Sequence, residues 1–340
     1  MLRQSTTVVV AFYIVLFSST FITNKYVLTV ERFAYPAIFQ CWQVLVAAVG
    51  FVIAASCWKW KWHMQCMILT LQYIWKTIPY YTLSIYAGSR ALTVLPLSIF
   101  LGIHNSLLLV HCGLDLDLGK QSIFFSTNPK DLVAFTSVAV SSIMLVTTVP
   151  RLAFTGNQIN FMPKLGFGSA MWWMLLHICC AGVILSAEKS STVCIKTDAF
   201  NRQIIYATTS FILLLPASYF LGDFHAVFLY PYLTSPGFCW SFVSSALLGS
   251  LLLILHPMIS SLEVVNLNYI GLAKGNICSI FPQVIVSAIS LLSFGVPAVP
   301  QDYLFWTVLS LLAGMFVPKA MASDADRCVL SNIRQSMQHV

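Results

Sequence analysis

The chain is dominated by long, uninterrupted runs of apolar residues, most of them close to twenty residues in length. An α-helix needs about 20 such residues to cross the hydrocarbon core of a bilayer. Backbone polar groups in lipid must be satisfied internally, which favours helices and closed barrels. The runs lack the alternating, roughly ten-residue segments of a membrane β-barrel. The sequence therefore predicts an all-α integral membrane protein.

Composition agrees with this class and excludes several others. The 340 residues are 58% hydrophobic and only 9% charged, whereas a soluble domain is about 25% charged. The net charge of +7 has no clustered basic face, so no nucleic-acid partner is predicted. The ten cysteines are scattered without CxxC or paired spacings, which indicates neither a zinc site nor a disulfide framework.

Ten spans fit the apolar runs, at about 8–28, 36–57, 77–95, 96–112, 132–149, 168–187, 203–221, 239–261, 267–293 and 303–321. The first run is not ended by a small-residue cleavage site, so it is predicted to be retained as a membrane helix. WKWKWH at 58–63 alternates tryptophan with lysine, as at a membrane interface. An anionic-lipid site is the alternative for that segment.

The distribution of basic residues predicts that both termini are cytosolic. With that orientation, 12 of the 18 basic residues lie in cytosolic segments, four lie opposite and two lie within the membrane. Ten spans divide into halves at 1–150 and 151–322, with a tail at 323–340. Because five is odd, the halves would form a 5+5 inverted repeat, which is a transporter architecture with its site near the midplane.

Two apolar stretches carry cations at membrane depth. Residues 86–105 contain Arg90, His104 and Asn105, and the segment from Gly271 to Asn276 contains Lys274. A charge at this depth costs at least about 2.5–3.5 kcal/mol on insertion scales, so it needs a partner or a wet cavity. Two such places in two halves suggest a path for an anionic solute, with the Lys274 ammonium on phosphate oxygens. The alternatives are that Lys274 snorkels to an interface or pairs with Glu263, eleven residues earlier.

The other polar candidates each have a functional and a structural interpretation. His104 and Asn105 are donors to phosphate or sugar, or the histidine is satisfied by a neighbouring carbonyl. Arg90 clamps phosphate bidentately, or it caps a helix near the headgroups. Lys25 is a further cation for the substrate, or an interfacial lysine. Tyr86 and Tyr206 stack on a base, or pack between helices.

No pattern in the sequence predicts an enzyme. There is no nucleophile elbow, P-loop, HExxH or paired-carboxylate motif. The His111, Cys112 and Asp115 group matches no usual metal-ligand spacing. No metal or other cofactor is therefore expected.

Several segments resemble one known family. TNKYVL at 23–28, YP and FQCWQ within 35–43, and above all YAGSRAL and LPLSIFLGIHN within 86–105 are similar to nucleotide-sugar transporters of the drug/metabolite transporter superfamily. The similarity is greatest to an animal member of the group related to Golgi GDP-mannose transporters. The resemblance implies ten helices in the Golgi membrane and antiport of a cytosolic nucleotide sugar for a lumenal nucleoside monophosphate. It does not decide between a monomer and a homodimer.

Family motifs transfer to this chain only in part. The family's GALNK motif matches Gly271-Leu272-Ala273-Lys274, which keeps the lysine, and its lysine–asparagine pair matches His104-Asn105. Its guanine-reading FYNN motif falls on residues 205–208, where both asparagines are replaced. The resemblance thus favours UDP-N-acetylglucosamine over a GDP-sugar. Together, the residue patterns and the resemblance predict these substrate-binding residues: Lys274, His104, Asn105, Arg90, Lys25, Asn24, Tyr86, Ser89, Tyr206, Thr208, Gly271 and Asn276.

Three alternatives remain beside this hypothesis. The first is a transporter of GDP-mannose or another GDP-sugar. The second carries a phosphorylated metabolite or another organic anion. The third is a carrier fold that no longer transports and serves as a membrane adaptor, which the departures at His104, Ala207, Thr208 and Ala273 keep open.

Overall fold

The computed structural model describes the backbone of residues 2–57, 64–110, 129–155, 167–194, 199–266, 277–293 and 301–317. All regular elements in these ranges are helical. The main helices are α1 (Leu2–Lys25), α2 (Pro36–Cys57), α3 (Met64–Ile74), α4 (Ile78–Val94), α5 (Leu97–His104), α6 (Pro129–Thr155), α7 (Phe167–Cys194), α8 (Ala199–Phe220), α9 (Pro236–Asn266), α10 (Ile277–Ser293) and α11 (Gln301–Phe316). A π-helical turn, Tyr26–Val30, extends α1.

Within the described residues, five helices are long and apolar enough to cross a membrane: Val8–Val30, Pro36–Cys57, Gly168–Ala187, Phe200–Phe220 and Pro236–Leu255. Four shorter apolar helices accompany them: Leu97–Val110, Leu132–Thr147, Ile280–Ser293 and Asp302–Phe316. The prediction of an all-helical membrane protein is confirmed. Each predicted apolar run contains a helix, although the last helix ends at Phe316 rather than at 321.

One helix was not predicted from the sequence. Residues 64–74 form α3, in a segment that the sequence assigned to a connection between spans. A turn at residues 75–77 separates α3 from α4, and Pro79 lies in the first turn of α4. Proline is favoured there because its missing N–H would be unpaired at a helix start. Eleven residues are too few to span a bilayer, so the length criterion overlooked this helix.

The predicted boundary near Pro96 is confirmed. Helix α4 ends at Val94, Leu95 has an extended backbone (ψ 138°), and α5 begins at Leu97. Proline disfavours the helical conformation in the residue before it and has no N–H for the preceding turn. The break therefore lies inside the apolar bundle, where the carbonyl groups of the last turn of α4 need other donors.

An aromatic cluster holds one end of the bundle together. Phe33, in the turn between α1 and α2, lies 5.1–5.4 Å in ring centroid distance from the rings of Tyr35, Tyr230, Phe238 and Phe242. The Tyr230 hydroxyl also donates to the carbonyl of Glu31 at 2.6 Å. Burial raises the pKa of Tyr230 to about 12, so this hydroxyl stays protonated as a donor. The same apolar core reaches Leu95 and Leu97 at the helix break.

The helices pack in a defined set of pairs. Helix α4 packs on α7 and α8, α2 packs on α8 and α9, and α1 packs on α9 and α10. Helix α5 packs on α10 and α11, and α6 packs on α11. The polar residues singled out in the sequence lie mostly where α1, α2, α4 and α5 meet these partners.

Candidate functional site

Lys25 is buried at the end of α4. Its side chain is only 4% exposed, so the ammonium does not reach the surface of the protein. The Nζ atom donates to the carbonyl oxygens of Leu92 and Leu95, each at 2.8 Å. A continuing helix would bond the Leu92 carbonyl to the N–H of residue 96, which is a proline here. Lys25 therefore supplies to the Leu92 carbonyl the donor that Pro96 lacks and also bonds the Leu95 carbonyl at the break, and its charge suits the negative end of a helix.

Arg90 lies on the last turns of α4 beside Tyr86. Its Nε donates to the Tyr86 hydroxyl at 2.9 Å, and the guanidinium lies 5.5 Å from the centroid of that ring. Tyr86 is buried and packs edge-on against Trp173 of α7. Arg90 itself is half-buried. Its Nη groups remain the strongest candidate for an anion among the described side chains of α4, because the guanidinium presents donors as a fork.

Asp223, which the sequence analysis did not single out, is the acidic neighbour of Arg90. Its Oδ2 accepts from the N–H of Ala37, in the first turn of α2, at 3.0 Å. Burial raises the pKa of Asp223 above the usual range, whereas the Ala37 N–H and the charge of Arg90 lower it. The carboxylate thus ties the connection after α8 to a helix N-terminus, where a negative charge is favoured.

Ser89 and Asn24 are linked to two glutamines of α2. Gln40 donates from Nε2 to the Ser89 hydroxyl. One turn further along α2, Gln43 donates from Nε2 to Asn24 Oδ1 at 3.0 Å and to Ser245 of α9 at 2.7 Å. Spacing could have indicated both glutamines, because residues three apart lie on one helix face and amides are uncommon inside a membrane helix.

His104 is paired with His177, a residue that sequence reasoning missed. His104 Nδ1 and His177 Nε2 lie 3.1 Å apart, and His177 Nδ1 lies 2.8 Å from the carbonyl oxygen of Ser84. Because a carbonyl only accepts, His177 Nδ1 carries a proton, and the Nε2 of the neutral ring then accepts from His104. Both rings pack on Phe100, at 6.1 Å and 5.8 Å. The pair joins α5, α7 and the middle of α4.

Asn105 does not share the surroundings of His104. It is buried, and its Nδ2 donates to the carbonyl oxygen of Ser310 on α11 at 2.6 Å. The Ser310 hydroxyl in turn donates a hydrogen bond to the carbonyl oxygen of Gly102, in α5, at 2.7 Å. These two bonds hold α5 against α11, so the Asn105 amide is a contact between helices in this structure.

Tyr206 and Thr208 lie apart from the Arg90 group. Tyr206 is fully buried, stacks on Tyr81 at 4.5 Å, and shares a 2.8 Å hydrogen bond with Thr77 at the start of α4. Thr208 is exposed on the outer surface of α8. Arg90 is near the opposite end of α4 from Thr77, so Tyr206 and Arg90 are separated by most of the helix length. Lys274, Gly271 and Asn276 lie outside the described residues.

The chain is similar in sequence to known proteins of a frog and a mouse. It is 29% identical over 280 residues to the UDP-N-acetylglucosamine transporter TMEM241 homolog of Xenopus laevis, covering 81% of this chain and 84% of the frog protein. It is 28% identical over 237 residues to the UDP-N-acetylglucosamine transporter TMEM241 of Mus musculus, covering 68% and 72%. No protein-family model matches. The resemblance predicted from the sequence is confirmed: this multi-pass membrane protein is close in sequence to TMEM241.

Proposed function

We propose that the protein is a nucleotide-sugar transporter whose cargo is UDP-N-acetylglucosamine, carried into the Golgi lumen in exchange for a nucleoside monophosphate. One observation carries the proposal: the frog and mouse relatives, matched over most of the chain, are both named UDP-N-acetylglucosamine transporters. Their names describe transporters rather than enzymes. The absence of a catalytic motif from the sequence agrees with this assignment.

The surroundings of residues 205–208 support a uridine nucleotide over a guanosine nucleotide. Guanine presents a donor-rich edge that an amide side chain can read, and this segment contains no amide. Tyr206 is fully buried against Tyr81, and Thr208 lies on the exposed surface of α8. Neither side chain replaces the lost asparagines as a reader of guanine.

The diphosphate is assigned to Lys274 and Arg90. Arg90 is half-buried and has guanidinium donors beyond the Nε that bonds Tyr86. Lys25 is not given this role, because its ammonium already bonds two carbonyl groups. His104, whose Nδ1 bonds His177, is assigned to the site as a positioning group at the middle of the bundle.

Helix packing supports a 5+5 inverted repeat with halves at 1–150 and 151–322. If α3 and α4 together count as the third span, adding five to each span number maps the α4–α7 pair onto the α9–α1 pair. The same operation maps α2–α9 onto α8–α4, and it maps α2–α8, α5–α10 and α6–α11 each onto itself. Such internal symmetry is what alternating access by two rocking halves requires.

The positions of the connections support a chain whose successive spans cross the membrane in opposite directions. The α1–α2 turn, the break at Pro96 and the segment after α8 meet at one end, through the Tyr230–Glu31, Lys25–Leu95 and Asp223–Ala37 bonds. At the other end, Phe51 of α2 and Phe200 of α8 pack 5.1 Å apart. With cytosolic termini, the first of these ends faces the Golgi lumen.

Uptake into proteoliposomes tests the proposal. Vesicles loaded with UMP should accumulate labelled UDP-N-acetylglucosamine faster than empty vesicles, and Lys274→Ala should abolish that uptake by removing the phosphate partner. The control variant is Lys76→Ala, whose exposed ammonium lies over Trp75 and should be dispensable. Equal uptake by Lys274→Ala would overturn the assignment of the site, and preference for GDP-mannose would overturn that of the cargo.

A further inference from the structure

Three polar side chains from three helices meet inside the bundle. Asn24 of α1 accepts from Gln43 of α2 at 3.0 Å and from the hydroxyl of Ser245 of α9 at 2.7 Å. Gln43 also donates to Ser245 at 2.7 Å. Ser245 is fully buried, whereas Asn24 and Gln43 are half-buried. We refer to these three residues as the amide triad.

The triad leaves one donor and one acceptor unused. In this structure Asn24 Oδ1 accepts twice and Gln43 Nε2 donates twice, so the three bonds use one end of each amide. Turning both amides over would exchange the two roles and would still leave one donor and one acceptor unused. Among the described residues, Asn24 Nδ2 and Gln43 Oε1 have no hydrogen-bond partner, and neither atom is sealed in the interior. The triad therefore presents one unpaired amide donor and one unpaired amide acceptor, and both atoms keep some exposed surface.

The triad lies one turn of α2 from a contact with the residue next to Arg90, which is proposed to bind the diphosphate. One turn before Gln43, Gln40 bonds Ser89, and the next residue of α4 is Arg90. The neighbouring Trp42 stacks on Phe242 at 5.8 Å, and its indole N–H is buried without an acceptor in the described part of the chain. Gln40 and Gln43 thus place the triad one turn of α2 away from the contact with Ser89, the residue that precedes Arg90.

We infer that Asn24 and Gln43 bind the acetamido group of the transported sugar, with Ser245 as a positioning residue. An acetamido group has one carbonyl acceptor and one N–H donor, which complement the free Asn24 Nδ2 and Gln43 Oε1. Glucose carries a hydroxyl group at that carbon, which has its donor and its acceptor on one oxygen close to the ring. It therefore reaches the two amide groups less well than the separate carbonyl and N–H of an acetamido group. Sites that hydrogen-bond a substrate group reject analogues lacking it, because their own polar groups are then left unpaired. This inference rests on the proposed function.

The test compares three ligands on purified protein: UDP-N-acetylglucosamine, UDP-glucose and UMP. Native protein should bind the first at least about tenfold more tightly than UDP-glucose. Gln43→Leu and Asn24→Leu should remove that preference while changing the affinity for UMP, which has no sugar, less than about twofold. Ser245→Ala should reduce the preference, but the matched Ser250→Ala should not, since Ser250 bonds only Leu247 of its own helix among the residues that the structure describes.

A preference that survives in folded Gln43→Leu would overturn the inference, and so would an equal loss of UMP and UDP-N-acetylglucosamine. If Gln43→Leu does not fold, Gln43→Met, which keeps the length of the side chain, gives the same comparison. The proposed function fails in a different way: native protein then binds none of the three uridine ligands. The preference ratio separates recognition from a structural role, since a loosened bundle would weaken all ligands together.

Discussion

At the scale of single residues, the cations of this chain have different roles. Position alone presents Lys25, Arg90 and Lys274 as equivalent charges in apolar surroundings. The contacts separate the first two, because Lys25 replaces a missing backbone donor whereas Arg90 keeps donors for an anion. A buried cation can therefore belong to the backbone of a neighbouring helix rather than to the substrate.

Lys25→Met should destabilise the protein by leaving the Leu92 and Leu95 carbonyls without donors. An unsatisfied buried group costs about 1–3 kcal/mol, so the apparent melting temperature in detergent should fall by several degrees. Lys25→Arg should recover part of the loss, because it keeps a charged donor. An unchanged melting temperature combined with lost UMP binding would instead assign the ammonium to the ligand.

The histidine pair gives a second residue-scale prediction. His104→Leu and His177→Leu should each leave the other ring with an unpaired nitrogen, whereas the double variant removes both groups. Thermal unfolding of the four proteins should therefore be non-additive, with a coupling of about 0.5–3 kcal/mol. Strict additivity would mean that the 3.1 Å contact contributes nothing to stability.

At the scale of helices, close contacts depend on small residues. A Cβ added at Gly314 of α11 would collide with the Asn105 carboxamide, whereas one added at Gly249 of α9 would meet no atom within 4 Å. Glycine at 314 thus lets α5 and α11 approach closely enough for Asn105 to reach the Ser310 carbonyl. Small residues are the usual means of close approach between membrane helices.

Gly314→Ala should lower stability, because overpacking typically costs about 1–3 kcal/mol. Gly249→Ala is the matched control. It should leave stability unchanged or slightly raised, since alanine favours a helix. Thermal unfolding in detergent measures both. A Gly314→Ala variant as stable as the control would show that Asn105 does not hold α5 to α11.

Sequence reasoning predicted elements better than contacts. Apolar run length identified the helices, and Pro96 identified the break between α4 and α5, because both are local properties. The short helix α3 escaped a criterion based on membrane thickness. His177 was missed because its partners, His104 and Ser84, are 73 and 93 residues away and no spacing in sequence records that contact. Asp223 and Ser245 were hidden for the same reason.

At the scale of the whole molecule, the polar groups follow the packing of the helices. The α2 helix contacts both α8 and α9, and its two glutamines reach α4, α1 and α9. Rocking of the proposed halves would stretch or release the Gln43–Ser245 bond, whereas the Gln40–Ser89 and Gln43–Asn24 bonds lie within the first half. A ligand that binds across the Gln43–Ser245 bond would therefore couple its own binding to that motion.

The most direct test of the central claim is a thermal-shift comparison of native protein and Lys274→Ala against UMP, GMP, CMP and their sugar diphosphates. A ligand that binds only the folded state stabilises it, by about 2.7 kcal/mol at 100 times its Kd. We expect a rise in melting temperature with UMP and UDP-N-acetylglucosamine that is lost in Lys274→Ala. A rise with GMP and none with UMP would contradict the uridine assignment, and no rise with any nucleotide would favour the membrane adaptor.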